Sequence, residues 1–141
     1  MLLTKLLLLP LFAHLLLIFF VGQRSLRARI KAVKTGATKL HDIATDSSAW
    51  PSRVKKYGDN FDNQFQTPML WYALCGLIVA LKFEDVVFAG LSWMFLFTRL
   101  VHAHVHTTHN DVLSRMRIFL FGFFVLLAMW AWFAVKLFLL T

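Results

Sequence analysis

The residues in this chain best suited to chemistry lie between Arg99 and Arg117, in the stretch RLVHAHVHTTHNDVLSRMR. Three arginines and four histidines stand there between two long apolar segments. Ionisable side chains at the edge of hydrocarbon are costly, so such a cluster marks a functional site by default. A helix from Val86 to about Thr107 would put Arg99, His102 and His106 on one face, with His109 next in the series, at spacings of three, four and three. His104 points to the other side. Arg115 and Arg117 then open the next helix, close enough to fold back over the histidine face. Imidazoles at one-turn spacing can also ligate zinc, copper or iron. For His102, His106 and His109, however, the helix supplies no accompanying carboxylate, because Asp111 falls outside it.

Four apolar segments must position this cluster. The first runs from about Leu6 to Val21. It follows Lys5 like a signal peptide, but its positive charges lie mainly on the C-terminal side and no small-x-small cleavage site follows. It is expected as a retained helix, kinked near Pro10, with His14 mid-span as a hydrogen-bonding or packing residue. The second covers about 60–82 and begins with Asn60, Asp62, Asn63, Gln64, Gln66 and Thr67 before Pro68. Amides inside a membrane helix bond to neighbouring helices or line a wet pocket. The third and fourth helices are expected at about 86–107 and 114–140, the first helix at about 4–23. Each is near the ~20 residues that cross ~30 Å of hydrocarbon.

The chain is 59% hydrophobic with fifteen phenylalanines and five tryptophans, well above the ~45–50% of soluble domains. The expected fold class is therefore all-α, a polytopic membrane protein with a bundle of four transmembrane helices in one domain, 1–141. The net charge of +8 does not point to nucleic acid, because the basic residues flank apolar spans and leave no soluble reader domain. Nine of the fifteen Lys and Arg residues fall in a polar loop at about 24–59. The positive-inside rule puts that loop in the cytoplasm and, with four spans, both termini outside. Gln23 to Lys39 has the composition to continue the first helix out of the membrane. Cys75, the single cysteine, sits in an apolar run and reads as a buried small hydrophobe. The same cytoplasmic interface thus receives Arg24, Arg27, Asn63, Gln66, Arg99, His102, His106, Arg115 and Arg117. Cations and amides converging there suit an amphiphile or a peptide carrying carboxylates.

This arrangement resembles the MAPEG family, the membrane proteins of eicosanoid and glutathione metabolism. The resemblance covers nearly the whole chain. Its most specific part is Arg99-x-x-His102-x-x-x-His106 followed by Arg115, similar to the family's prostaglandin E synthase branch, which has tyrosine at the third position. Gly22-Gln23-x-x-Leu26-Arg27 is similar to the same branch. Asn63-x-x-Gln66 before Pro68 resembles the family's Asn-x-x-Glu, which helps bind glutathione. Three departures stand out. Gln66 replaces the glutamate that could meet glutathione's amino group. Asp59 and Asp62 stand where an arginine usually precedes the asparagine. His106 and Phe119 occupy positions where tyrosine is common. The run Asn-Gln-Phe-Gln-x-Pro is closer to the bacterial branch, which implies a bacterial inner membrane.

The resemblance implies a homotrimer in a lipid bilayer and a glutathione- or other thiol-dependent transferase or peroxidase acting on a hydrophobic small molecule. Arg115 would then be the catalytic cation that stabilises the thiolate. Arg24, Arg27 and Arg99 would bind carboxylates, Asn63 and Gln66 would orient the peptide, and His102 and His106 would line the site. A non-catalytic lipid-binding or structural protein on the same fold is the alternative, favoured by Gln66 and the missing tyrosines. The histidine metal site is the third.

Overall fold

The structure is a computed structural model that describes residues 1–140; Thr141, at the C-terminus, lies outside the described residues. All regular structure among them is helical. Helix α1 runs over Leu2–Lys34, roughly 50 Å at 1.5 Å per residue. It continues through Pro10 and well past the expected end near residue 23. Its polar second half, rich in arginine, lysine and alanine, has the propensity to stay helical once outside lipid. The expected loop at 24–59 is therefore largely structured. After α1 come a single turn α2 (Leu40–Ile43), a 3₁₀ turn (Ser47–Ala49) and helix α3 (Ser52–Asp62). The 3₁₀ turn is capped by Asp46, whose carboxylate accepts from the Ser48 amide at 2.8 Å.

The expected second span, 60–82, is not one helix. Chain 60–62 belongs to α3, residues 63–66 turn, and α4 occupies Thr67–Ala80. Pro68 is the reason: it has no N–H to donate to the Gln64 carbonyl and its ring would clash there, so a helix cannot run through it but can begin at it. At 14 residues, α4 spans only ~21 Å. Helix α5 (Val86–Thr107) and helix α6 (Val112–Leu139) follow. Three helices, α1, α5 and α6, are long and apolar enough to cross a membrane. They make this an integral membrane protein, with α4 as a shorter apolar helix beside them.

Half of the apolar window of α5 is buried, against 28% for α1 and for α6, so α5 is the central helix. It packs on both α1 and α6, while α3 packs on α1 and on α5. The core is formed by Leu7 and Leu11 of α1, Trp71, Leu74 and Ile78 of α4, Phe88 and Phe95 of α5, and Met129 and Phe133 of α6. Cys75 is buried within it as a free thiol. Phenylalanines 12, 19, 20, 121 and 124 point outward, a surface suited to lipid. Helices α5 and α6 approach closely at Gly122: a Cβ there would lie 2.6 Å from the Thr98 hydroxyl oxygen, which itself donates to the Phe95 carbonyl at 2.7 Å.

The far end is pinned by charge. Asp85 caps α5 by accepting from the Phe88 amide at 2.8 Å. Its other oxygen accepts from Lys136 Nζ at 2.8 Å and Trp132 Nε1 at 2.9 Å, both from α6. Lys136 also donates to the Phe83 carbonyl and lies over the Phe83 and Phe88 rings.

Candidate functional site

Residues 99, 102 and 106 share one face of α5, and that face is turned inward: Arg99 is 2% exposed, His102 4% and His106 1%. The Arg99 guanidinium reaches across the break between α3 and α4. It donates to the Thr67 hydroxyl at 3.4 Å and to the Asn63 backbone carbonyl at 3.5 Å, and contacts His102 Nδ1 at 3.4 Å. The His102 and His106 rings stack at 6.1 Å and 19°, and Phe119 of α6 lies 6.5 Å from His102. His104, as its register requires, is exposed.

His109 does not join this face. The helix ends at Thr107, where the Thr107 and Thr108 hydroxyls donate to carbonyls of the last turn and Asn110 takes a positive φ of 54°. Asparagine tolerates that left-handed geometry and so makes the turn possible. His109 is left exposed. Among the described residues no group of three His, Cys, Asp or Glu side chains is placed to hold a metal ion, so the proposed His102–His106–His109 set is not assembled.

The turn brings Arg115 back. Asp111 caps α6 by accepting from the Ser114 amide at 2.8 Å, and Arg115, one turn in, donates to the Asn110 side chain at 2.7 Å. Its charge acts on both His102 and His106. Arg117 lies on the other face of α6 and is exposed.

What this arrangement can do follows from the acids around it. The described residues contain two ion pairs, Lys136–Asp85 and His41–Asp42, and neither involves Arg99 or Arg115. Arg99 Nε, Arg115 Nε and His106 Nδ1 are buried with no hydrogen-bond partner. A buried cation held by long, neutral contacts carries a desolvation cost of several kcal/mol that no carboxylate here offsets. An anion is the group whose charge would offset that cost.

The other expected residues divide. Asn63 contributes its backbone carbonyl to Arg99. Gln66 is exposed, and the buried amide of this segment is Gln64. Its Oε1 faces His14 Nε2 at 3.2 Å while its Nε2 donates to the Asn60 carbonyl at 2.9 Å. His14 Nδ1 meets the Tyr72 hydroxyl at 3.1 Å, so His14 serves as a hydrogen-bonding link between α1, α3 and α4. The i, i+4 pair Asn60–Gln64 is the sequence signal for this network, and Thr67, directly before Pro68, is the one for the contact with Arg99. Arg24 and Arg27 line a different cleft, with Lys31, Arg53 and Tyr57.

Comparison with curated proteins and with solved structures finds no match. A family model, described as MAPEG family, matches residues 7–135, a stretch that contains the whole Arg99–Arg115 site. On that match the chain belongs to the MAPEG family.

Proposed function

We propose that the protein is a membrane-embedded transferase or peroxidase that uses glutathione, or another low-molecular-weight thiol, on a hydrophobic electrophile. The observation that carries this reading is the buried Arg99 guanidinium with no acid partner, together with the unpartnered His106 Nδ1 and Arg115 Nε. The family includes glutathione-dependent enzymes, and the residues present fit such a ligand: three donors in a water-poor site suit carboxylate and thiolate. When bound, glutathione supplies the sulfur nucleophile. Arg115 stabilises the thiolate, since a cation shielded from solvent acts far more strongly than one in water. Arg99 holds a carboxylate through charge-assisted bonds. His106 donates from Nδ1, and His102 orients Arg99. In this reading Asn63 and Gln66 contact the peptide. The electrophile enters from lipid between the helices.

For the assembly we propose the trimer that the family resemblance implies. A single subunit already buries Arg99, so covering that charge is not the reason for association; the exposed Gln66 and the outward phenylalanines are what a neighbour would cover. Four spans, with the basic segment cytoplasmic in a bacterial inner membrane and both termini outside, complete the proposal.

The test is thiolate ultraviolet absorbance on adding glutathione, with the rate of conjugation to an electrophilic aryl halide, for wild type, Arg115→Ala and Arg117→Ala. Loss in Arg115→Ala alone is the expected result. Equal losses reduce Arg115 to a marker of the helix end. The absence of a thiolate signal in wild type would favour the second reading, a non-catalytic lipid-binding protein, which the exposed, uncharged Gln66 supports.

A further inference from the structure

Just beyond the apolar part of α1 lies a cleft of about 400 Å³ between α1 and α3. Four cations line it: Arg24, Arg27 and Lys31 from α1, and Arg53 from α3; no carboxylate does. The spacing 24, 27, 31 is one helix face, and 53 with 57 is one face of α3. The other basic residues of this segment do not line it. Arg29 lies over the Trp50 ring at 5.7 Å, and Lys56 donates to the Thr108 carbonyl at 2.9 Å. The convergence of these four is therefore a property of the α1–α3 packing and not of basic composition alone.

The cleft has internal order. The Arg24 guanidinium is held between the rings of Phe20 and Tyr57, at 5.6 and 5.3 Å from their centroids, with Nη2 3.5 Å from the Tyr57 hydroxyl. The Arg53 guanidinium beside the same phenol holds it below its usual range; burial opposes this, and Arg24 adds to it. The walls are apolar, from Ala28, Ala32 and Val54. Depth matters as much as charge. Counting from Val21, Arg24 and Arg27 stand ~5 and ~9 Å past the hydrocarbon, and Lys31 ~15 Å. The headgroup layer is roughly 5–7 Å thick on each side. Arg24 thus stands at phosphate level and Arg27 just above it, with Lys31 and Arg53 farther out to meet a projecting group.

We propose that this cleft is a binding site for the phosphate-bearing headgroup of an acidic phospholipid, separate from the Arg99–Arg115 site and independent of the activity assigned there. Guanidinium pairs match phosphate geometry, the apolar walls accept the glycerol backbone, and the exposed Phe20 lies where acyl chains begin.

The experiment uses the full chain in nanodiscs of equal parts phosphatidylglycerol and phosphatidylcholine, with native mass spectrometry of the lipid that stays bound. Wild type is compared with Arg27→Gln/Arg53→Gln and with a charge-matched control, Lys39→Gln/Arg117→Gln. A charge-assisted guanidinium–phosphate bond contributes about tenfold in affinity, so the cleft variant should lose phosphatidylglycerol by about a hundredfold while the control, which loses only screened surface attraction, falls far less. Equal loss in both variants would mean diffuse surface attraction and overturn the proposal. A second readout does not depend on the double variant folding. Phosphatidylglycerol should raise the Tyr57 phenol titration, followed by phenolate absorbance with Tyr57→Phe as blank, because a bound phosphate neutralises Arg53 and Arg24. An equal rise with inorganic phosphate in phosphatidylcholine discs would assign the cleft to a free phosphate-type anion. No rise with phosphatidylglycerol would sink the lipid site outright.

Discussion

Replacing Arg99 by methionine separates a binding role from a structural one, because the two predict opposite signs. Arg99 is buried with no carboxylate, and its three contacts are long, 3.4–3.5 Å. Bonds this long to neutral acceptors contribute little, about 0.5 kcal/mol each, and the Asn63 carbonyl left behind costs about 1 kcal/mol. Against these losses stands release of a desolvated cation, worth several kcal/mol. Methionine keeps much of the volume and fills irregular space. Arg99→Met should therefore leave thermal stability unchanged or raise it by about 1–3 kcal/mol. Binding should move the other way. Losing a charge-assisted bond of about 1.5–3 kcal/mol weakens glutathione roughly 10–100-fold. Isothermal titration and melting of the same detergent-solubilised samples give both numbers. A loss of more than ~2 kcal/mol in stability, with a dissociation constant within about threefold of wild type, would refute the reasoning and make Arg99 a structural strut.

Gly122→Ala forces a methyl against the Thr98 hydroxyl and should cost about 1–3 kcal/mol of stability by thermal melt, partly recovered by adding Thr98→Ala; a neutral result would mean α5 and α6 separate freely there. Burial alone raises the Asp85 carboxyl, but bonds from Lys136, the Phe88 amide and Trp132, with the Lys136 charge, more than offset it and hold the group below its usual range. That stability is present above the unfolded value of 3.8 and is lost as pH falls from there through the lower folded value. Melts of wild type should drop in that window, and Asp85→Asn should flatten the drop. Reporter fusions after Lys39 and after Thr141 should fall on opposite sides of the membrane, and finding both on one side would break the four-span proposal.

The sequence by itself determined whatever depends on local periodicity. Spacings of three and four place Arg99, His102 and His106 on one helix face in any fold, and the apolar runs of α1, α5 and α6 demand a membrane whatever packs beside them. The family was legible in the same stretch. Tertiary structure decided what depends on which helices touch. Gln64 rather than Gln66 is the buried amide because the break before Pro68 rotates one toward His14 and leaves the other outside. His109 leaves its predicted face because α5 ends at Thr107, as expected, and the threonine and asparagine turn after it carries residue 109 off the helix. Arg24 and Arg27 lie with Arg53 and Tyr57, and not with Arg99, because α3 docks against α1. The choice between those neighbours rests on contacts across 25 to 75 residues of chain, and no local pattern of side chains encodes it.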